Sequence, residues 1–179
     1  MDRIYGKPII TKEEIQKRVK ELGRKIAMDY RAKDLLLICV LKGAFIFFSD
    51  LSRAIRLPLR TDFIIASSYK KTKSSGKVSI IADISEDING QDVLLVDDIV
   101  DSGLTLDYLT KYILTKGPRS LKACILLDKS ERRQTDITID YTGFNIPNKF
   151  VVGYGLDYQN KYRNLPYIAV LDVINEDII

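Results

Sequence analysis

Apolar residues recur along the first part of the chain at Ile15, Val19, Leu22, Ile26 and Tyr30, the three- and four-residue spacing of one helical face. Thr11-Lys-Glu-Glu14 precedes them as a capping box, so the spacing predicts an amphipathic helix over 12 to 31. The stripe then becomes continuous: Leu35 to Leu41 is an unbroken apolar run, the pattern of a strand covered on both faces. After Lys42-Gly43 the helical stripe returns through Phe45, Phe48, Leu51 and Ile55, Pro58 breaks it, and 61 to 68 reads as another strand. The stretch Ser68 to Gly76 has no periodicity and is expected to be a poorly ordered loop without ligand. Val78 to Asp83 and Val93 to Val96 are apolar strands separated by a connection containing Asn89-Gly90, which predicts a hairpin with a longish loop. Leu106, Leu109, Tyr112 and Ile113 mark a helix ending at Gly117-Pro118, followed by a strand over 121 to 127. Short strands are expected near 137 to 141, 150 to 154 and 167 to 172, broken by Gly143, Pro147 and Pro166.

Strands alternating with helices predict an α/β domain with a mostly parallel central sheet and helices on both faces. At 179 residues without a repeat or linker, one domain over 1–179 is expected. Ligands of such sheets sit at the carboxyl ends of the strands, here the turns after 35–41, 61–68, 93–97 and 121–127. All four carry polar or charged residues.

Composition narrows the chemistry. The longest apolar run is too short to span a bilayer and the charged N-terminus does not resemble a signal peptide, so a cytoplasmic location without membrane contact is expected. Cys39 and Cys124 lie inside apolar runs and read as structural thiols. The chain has no histidine, which removes the commonest general base and the Ser-His and Cys-His nucleophilic pairs. Acid-base work falls to carboxylates, Lys or Tyr. A net charge of +4 suits anionic substrates but is too mild to imply nucleic-acid binding.

The densest chemistry lies in Val93-Leu-Leu-Val-Asp97-Asp98-Ile-Val-Asp101-Ser102-Gly103-Leu104-Thr105. A strand runs into two carboxylates and then a turn of small residues opening a helix, where unpaired backbone N–H groups hold phosphate. The carboxylates before it can hold Mg2+ or ribose hydroxyls. Neither the dinucleotide glycine fingerprint nor the P-loop is present. A phosphorylated sugar is the ligand these residues suit.

This segment resembles the signature of the type I phosphoribosyltransferases, whose substrate is the diphosphate sugar PRPP. Leu41-Lys42-Gly43-Ala44, Ser68-Tyr69, Leu127-Asp128-Lys129, Lys149 to Tyr154, Leu156-Asp157-Tyr158 and Arg163 extend the resemblance, in order, to the hypoxanthine-guanine branch of that family. It implies the type I fold, with a small base-binding hood built from the N-terminal segment and the region around 137–179. The implied reaction is Mg2+-dependent purine salvage: displacement of pyrophosphate from PRPP by a 6-oxopurine, giving IMP or GMP, with two Mg2+ ions.

The residue roles that the resemblance implies are specific. Asp97 and Asp98 serve the ribose and metal, one pointing inward and the other toward supporting partners; a turn cap is the alternative for Asp98. Asp101 takes the purine N7 proton, for which burial or nearby phosphate would have to tune it; the same position suits a helix N-cap. Ser102, Gly103, Leu104 and Thr105 hold the 5′-phosphate, Leu104 standing where some relatives carry lysine. Lys42, behind an implied cis peptide, joins Gly43 and Arg163 on pyrophosphate. Ser68 and Tyr69 open a lid. Lys129 donates to O6 of the base, selecting against adenine, whose amino group is no acceptor for an ammonium. Phe150 stacks on the base and Val151 offers backbone to its edge, although periodicity alone reads both as core. Asp157 coordinates the second Mg2+, or caps its own loop.

Two other readings stand beside purine salvage: a nucleotide-sensing, RNA-binding regulator on the same fold, and transfer to another base. The resemblance also implies a homodimer or homotetramer formed through helix faces near the site.

Overall fold

The capping box forms as the sequence requires. Thr11 Oγ1 accepts from the Glu14 N–H at 3.2 Å, and the Glu14 carboxylate accepts from the Thr11 N–H at 2.7 Å. They open α1 (Lys12–Asp29), whose buried stripe is Ile15, Val19, Leu22 and Ile26. This computed structural model describes residues 5–68 and 78–171. Gly23 interrupts the stripe because α2 (Phe45–Ala54) crosses there: a Cβ on Gly23 would stand 2.7 Å from Ala54.

The main sheet has six strands, β2 (Leu35–Leu41), β3 (Leu59–Ser68), β4 (Val78–Ala82), β5 (Asp92–Val100), β6 (Ser120–Asp128) and β7 (Tyr141–Asn145), in the order β4-β3-β2-β5-β6-β7. All neighbours are parallel except β3 and β4. Alternate residues of the central strands feed two cores. Leu35, Leu37, Cys39, Leu94, Val96 and Cys124 face α1 and α2. Leu36, Ile38, Val40, Val93, Leu95 and Ile125 face α3 (Leu104–Leu114). Both thiols are free and buried, and burial raises both well above the ordinary cysteine value, as expected of structural thiols. No helix among the described residues is long and apolar enough to cross a membrane.

Three local expectations are corrected. β4 does not form a hairpin with β5; it pairs antiparallel with β3, Ser68 opposite Val78. The reason is burial: Val93 to Val96 are covered on both faces and need neighbours on both sides, whereas β4 is half exposed and suits an edge. The connection from β4 to β5 is instead held by Asp62, whose carboxylate accepts the N–H groups of Ser85 and Glu86. The strand expected at 137 to 141 begins at Tyr141; Ile137 and Ile139 pack without pairing on the core facing α3. Gly143 lies inside β7 rather than ending it, because a Cβ there would approach Leu126 O to 2.4 Å.

A separate antiparallel sheet, β1-β9-β8, joins β1 (Tyr5–Ile10), β9 (Ile168–Leu171) and β8 (Val151–Val152). No sequence pattern marks its first strand, since Tyr-Gly-Lys-Pro-Ile-Ile has no alternation and carries Pro8, which an edge strand tolerates.

Candidate active site

β2, β3, β5 and β6 run parallel, so Lys42, Ser68, Asp101 and Lys129 lie at the same end of the sheet. Ser68 closes β3, while Tyr69 and the rest of the expected lid lie outside the described residues.

The acidic pair is inside β5. Asp97 is only 6% exposed and its carboxylate accepts the Asp98 N–H at 2.9 Å. Asp98 turns toward the end of β2 and lies against Gly43, where an added Cβ would stand 1.7 Å from its Oδ2. Gly43 therefore makes room for a carboxylate. Burial raises both acids above the ordinary aspartate range. The charge of Asp98 raises Asp97 further, whereas bonds to Asp97 and the Ile99 N–H, with the Arg163 charge, hold Asp98 down. The Leu41–Lys42 peptide is cis, as the resemblance implied, and Lys42 is exposed.

Over Gly43 lies a loop with four non-glycine residues at positive φ between 153 and 163: Tyr154, Gln159, Asn160 and Tyr162. Gly155, at φ 104°, lets it approach; a Cβ there would stand 2.0 Å from Gly43 O. Arg163 closes the loop, donating from Nη1 to Gly155 O at 2.6 Å and pairing from Nη2 with Asp157 Oδ1 at 2.7 Å. The other Asp157 oxygen accepts the Asn160 N–H at 2.8 Å. Asp157 thus caps its loop, though at Asn160 rather than Tyr158. Strain in such a loop persists where packing over-determines it, and it collects at ligand sites.

The phosphate turn follows β5. Gly103 is the N-cap of α3 at φ 86°, and a Cβ on it would meet Thr135 Oγ1 at 2.2 Å. No side chain caps the helix from that position. Ser102 Oγ takes the Leu104 N–H at 3.4 Å, and the first helical bond runs from the Asp107 N–H to Gly103 O. The amides of Thr105 and Leu106 head an α-helix dipole at the turn, and Leu104 is exposed beside them.

Asp101 is not the cap. Its carboxylate lies between two cations, Oδ1 at 3.2 Å from Arg132 Nε and Oδ2 at 3.5 Å from Lys129 Nζ. With 41% of its side chain exposed, Asp101 lacks the deep burial of Asp97. Lys129 is buried, and its N–H donates to Val100 O at 2.9 Å, tying the end of β6 to β5. Phe150 is 43% exposed, unlike a core aromatic, and meets the Tyr158 ring edge-on at 6.0 Å. Val151 is buried in β8 opposite Val170.

Two clusters result. Gly43, Asp98, Gly155, Asp157 and Arg163 form one; Asp101, Ser102, Gly103, Lys129 and Arg132 form the other, and β5 links them. The sequence reading missed Gly155 and Arg132. Only the fold brings Arg132 in: a single 3-10 turn, Ser130–Arg132, follows Lys129, and residues three apart eclipse in such a turn.

Residues 9–159 match the family model described as Phosphoribosyl transferase domain. The chain is 53% identical over 171 residues to a hypoxanthine-guanine phosphoribosyltransferase of Mycobacterium avium, covering 92% of this chain and 84% of that one. It is 49% identical over 166 residues to the protein of the same name from Bacillus subtilis, covering 92% of each. A crystal structure of a hypoxanthine phosphoribosyltransferase from Staphylococcus aureus superposes with a TM-score of 0.90 at 44% identity, covering 94% of this chain and 92% of that one.

Proposed function

The chain belongs to the phosphoribosyltransferase family, in its hypoxanthine-guanine branch, and we propose that it moves the 5-phosphoribosyl group of PRPP to hypoxanthine or guanine, giving IMP or GMP and pyrophosphate. The observation that carries this reading is the pairing of Lys129 and Asp101 beside a glycine-capped helix N-terminus. Lys129 supplies a buried donor for O6 of a 6-oxopurine and rejects adenine, which offers it no acceptor. Asp101 supplies the acceptor for the N7 proton. As N9 forms its bond to C1′, the C1′–O bond breaks, pyrophosphate leaves with the electron pair, and the proton passes from N7 to an Asp101 oxygen.

Ser102, Gly103, Leu104 and Thr105 hold the 5′-phosphate, chiefly through backbone donors. Lys42, the Gly43 backbone and Arg163 hold pyrophosphate. Phe150 packs on the base and Val151 borders it, within a hood formed by the sheet β1-β9-β8. Closure of the segment beginning at Ser68 and Tyr69 excludes water that would otherwise hydrolyse PRPP.

The carboxylates fit Mg2+ bound together with substrate oxygens. Among the described residues no three acidic or thiol groups converge on a point, and Mg2+ commonly takes only one or two carboxylates alongside substrate phosphate. Asp97 and Asp98 would hold one ion beside the ribose, and Asp157 a second beside pyrophosphate. When bound, Mg2+ neutralises charge on the leaving pyrophosphate. We further propose a cytoplasmic homodimer or homotetramer that needs no nucleic-acid partner; light scattering reports the assembly directly.

The test is turnover of hypoxanthine, guanine and xanthine with PRPP and Mg2+, beside Asp101→Asn. Nucleotide formation from the 6-oxopurines that collapses in the variant supports the reading. Unchanged turnover in Asp101→Asn removes Asp101 as the proton acceptor, and RNA binding without nucleotide formation removes the enzyme.

A further inference from the structure

Arg132 stands on neither substrate-binding strand end, yet it makes the shorter of the two ion pairs to Asp101. The two cations use different oxygens: Arg132 Nε stands 3.2 Å from Oδ1 as an ion pair, and Lys129 Nζ donates to Oδ2 at 3.5 Å. The guanidinium is shared, because Nη1 also donates to Asn148 Oδ1 at 3.4 Å, two residues before Phe150. The turn that carries it is fixed at both ends. The Arg132 N–H donates to Lys129 O at 3.0 Å, and the next residue, Arg133, pairs with Asp128 at the end of β6.

The arrangement matters because a carboxylate is weakly restrained about its last torsion, where the energy wells are broad and two-fold. A half-exposed Asp101 held only by Lys129 would lose its orientation when that lysine turned to the base. Resting on the reading that Asp101 accepts the N7 proton, we infer that Arg132 is the positioning residue for Asp101. It anchors Oδ1 throughout, so that Oδ2 is the oxygen offered to the base when Lys129 moves to O6. Lys129 covers the reactive oxygen of the free enzyme and uncovers it by exchanging partners. An arginine suits the task because its planar fork can serve Asp101 and Asn148 together, which a lysine ammonium at the same distance cannot orient.

The experiment is a double-mutant cycle of Arg132→Ala with Asp101→Asn, read as kcat and KM for hypoxanthine and PRPP and accompanied by thermal unfolding. Arg132 is 51% exposed, so Arg132→Ala is expected to melt like the parent. Its kcat is expected to fall ~10- to 100-fold, the scale of losing orientation at a reacting group, with KM for PRPP unchanged. In the Asp101→Asn background the same substitution is expected to cost nothing further, since the group it positions has gone. Arg132→Lys should recover only part of the loss. The proposal is overturned if Arg132→Ala leaves kcat intact, or if its loss is equal in both backgrounds. An active Asp101→Asn enzyme overturns the underlying assignment of the proton acceptor instead, which separates the two failures. Should the alanine variant fail to fold, Arg132→Gln carries the same cycle.

Discussion

Gly43→Ala isolates one contact. Alanine keeps the backbone N–H that pyrophosphate would use, so any effect must come from the added methyl. That methyl would stand 1.7 Å from Asp98 Oδ2 and 2.5 Å from its Cγ, while ordinary contact begins near 3.4 Å. The carboxylate would have to retreat by about half of that separation. It cannot do so freely, because Oδ1 accepts the Ile99 N–H and the half-buried group lies directly against Gly43. Overpacking of this kind costs about 1–3 kcal/mol, and displacing a substrate-holding group by about 1 Å can cost ~100-fold in rate. We expect kcat/KM for PRPP to fall by that order and the melting temperature to drop. Adding Asp98→Ala should restore much of the stability without restoring activity, a non-additivity expected only of residues in contact. Retention of kcat/KM within about threefold, or strictly additive stabilities, would refute the packing argument.

Lys129→Ala should lower kcat/KM for hypoxanthine by ~10- to 100-fold, the worth of one charged hydrogen bond, while sparing KM for PRPP; an unaffected kcat/KM for hypoxanthine removes Lys129 from O6. Asp92, buried at the start of β5, accepts from Arg119 and from Ser120 Oγ at 2.6 Å, and the Arg119 bond above all holds its acid below the ordinary value. A depressed acid adds stability above the unfolded value of ~3.9 and loses it as pH falls through the folded value. Asp92→Asn should therefore cost about 1–2 kcal/mol at pH 7, the low end for charged bonds because Arg119 is 58% exposed and screened. Urea unfolding should show that gap closing as pH falls below ~3.9; a pH-independent gap would count against the ion pair.

What the sequence made legible was local. The capping box, the apolar run of β2 and the small-residue turn after Asp98 each act within a few residues, so spacing and composition suffice to read them. The partner of β4 is not local information, because pairing is a competition among all strands and Asn89-Gly90 speaks only for its own turn. The two-residue β8 and the Pro-containing β1 are strands only because β9 lies between them. In the candidate site, Asp97, Asp98 and the Asp101–Thr105 turn stood out as residue types at a strand end, whereas the parts given to Lys129 and Arg163 came from the family resemblance, Arg163 being an unremarkable surface arginine by itself. That Gly43 makes room for Asp98, 55 positions away in the chain, was not legible, since an absent Cβ leaves no mark until both ends are folded.

Several charges of the proposed site are paired with one another before substrate arrives. Asp157 holds Arg163, Asp101 holds Arg132 and Lys129, and Arg163 also lowers the acid of Asp98. Asp97, the more deeply set of the two adjacent acids, leans on the Asp98 N–H rather than on a cation, and burial raises it above the ordinary aspartate range. Under the proposed function two of these pairs exchange partners in the complex while Arg132 stays on Asp101: Arg163 exchanges Asp157 for pyrophosphate, and Lys129 exchanges Asp101 for O6. Binding then replaces one set of charged contacts by another, and affinity depends on the difference between the two sets. The exchange also orders events, because the proton acceptor is uncovered only when a base with an acceptor at position 6 has drawn Lys129 away. Specificity for the 6-oxopurine and activation of Asp101 would thus be a single step.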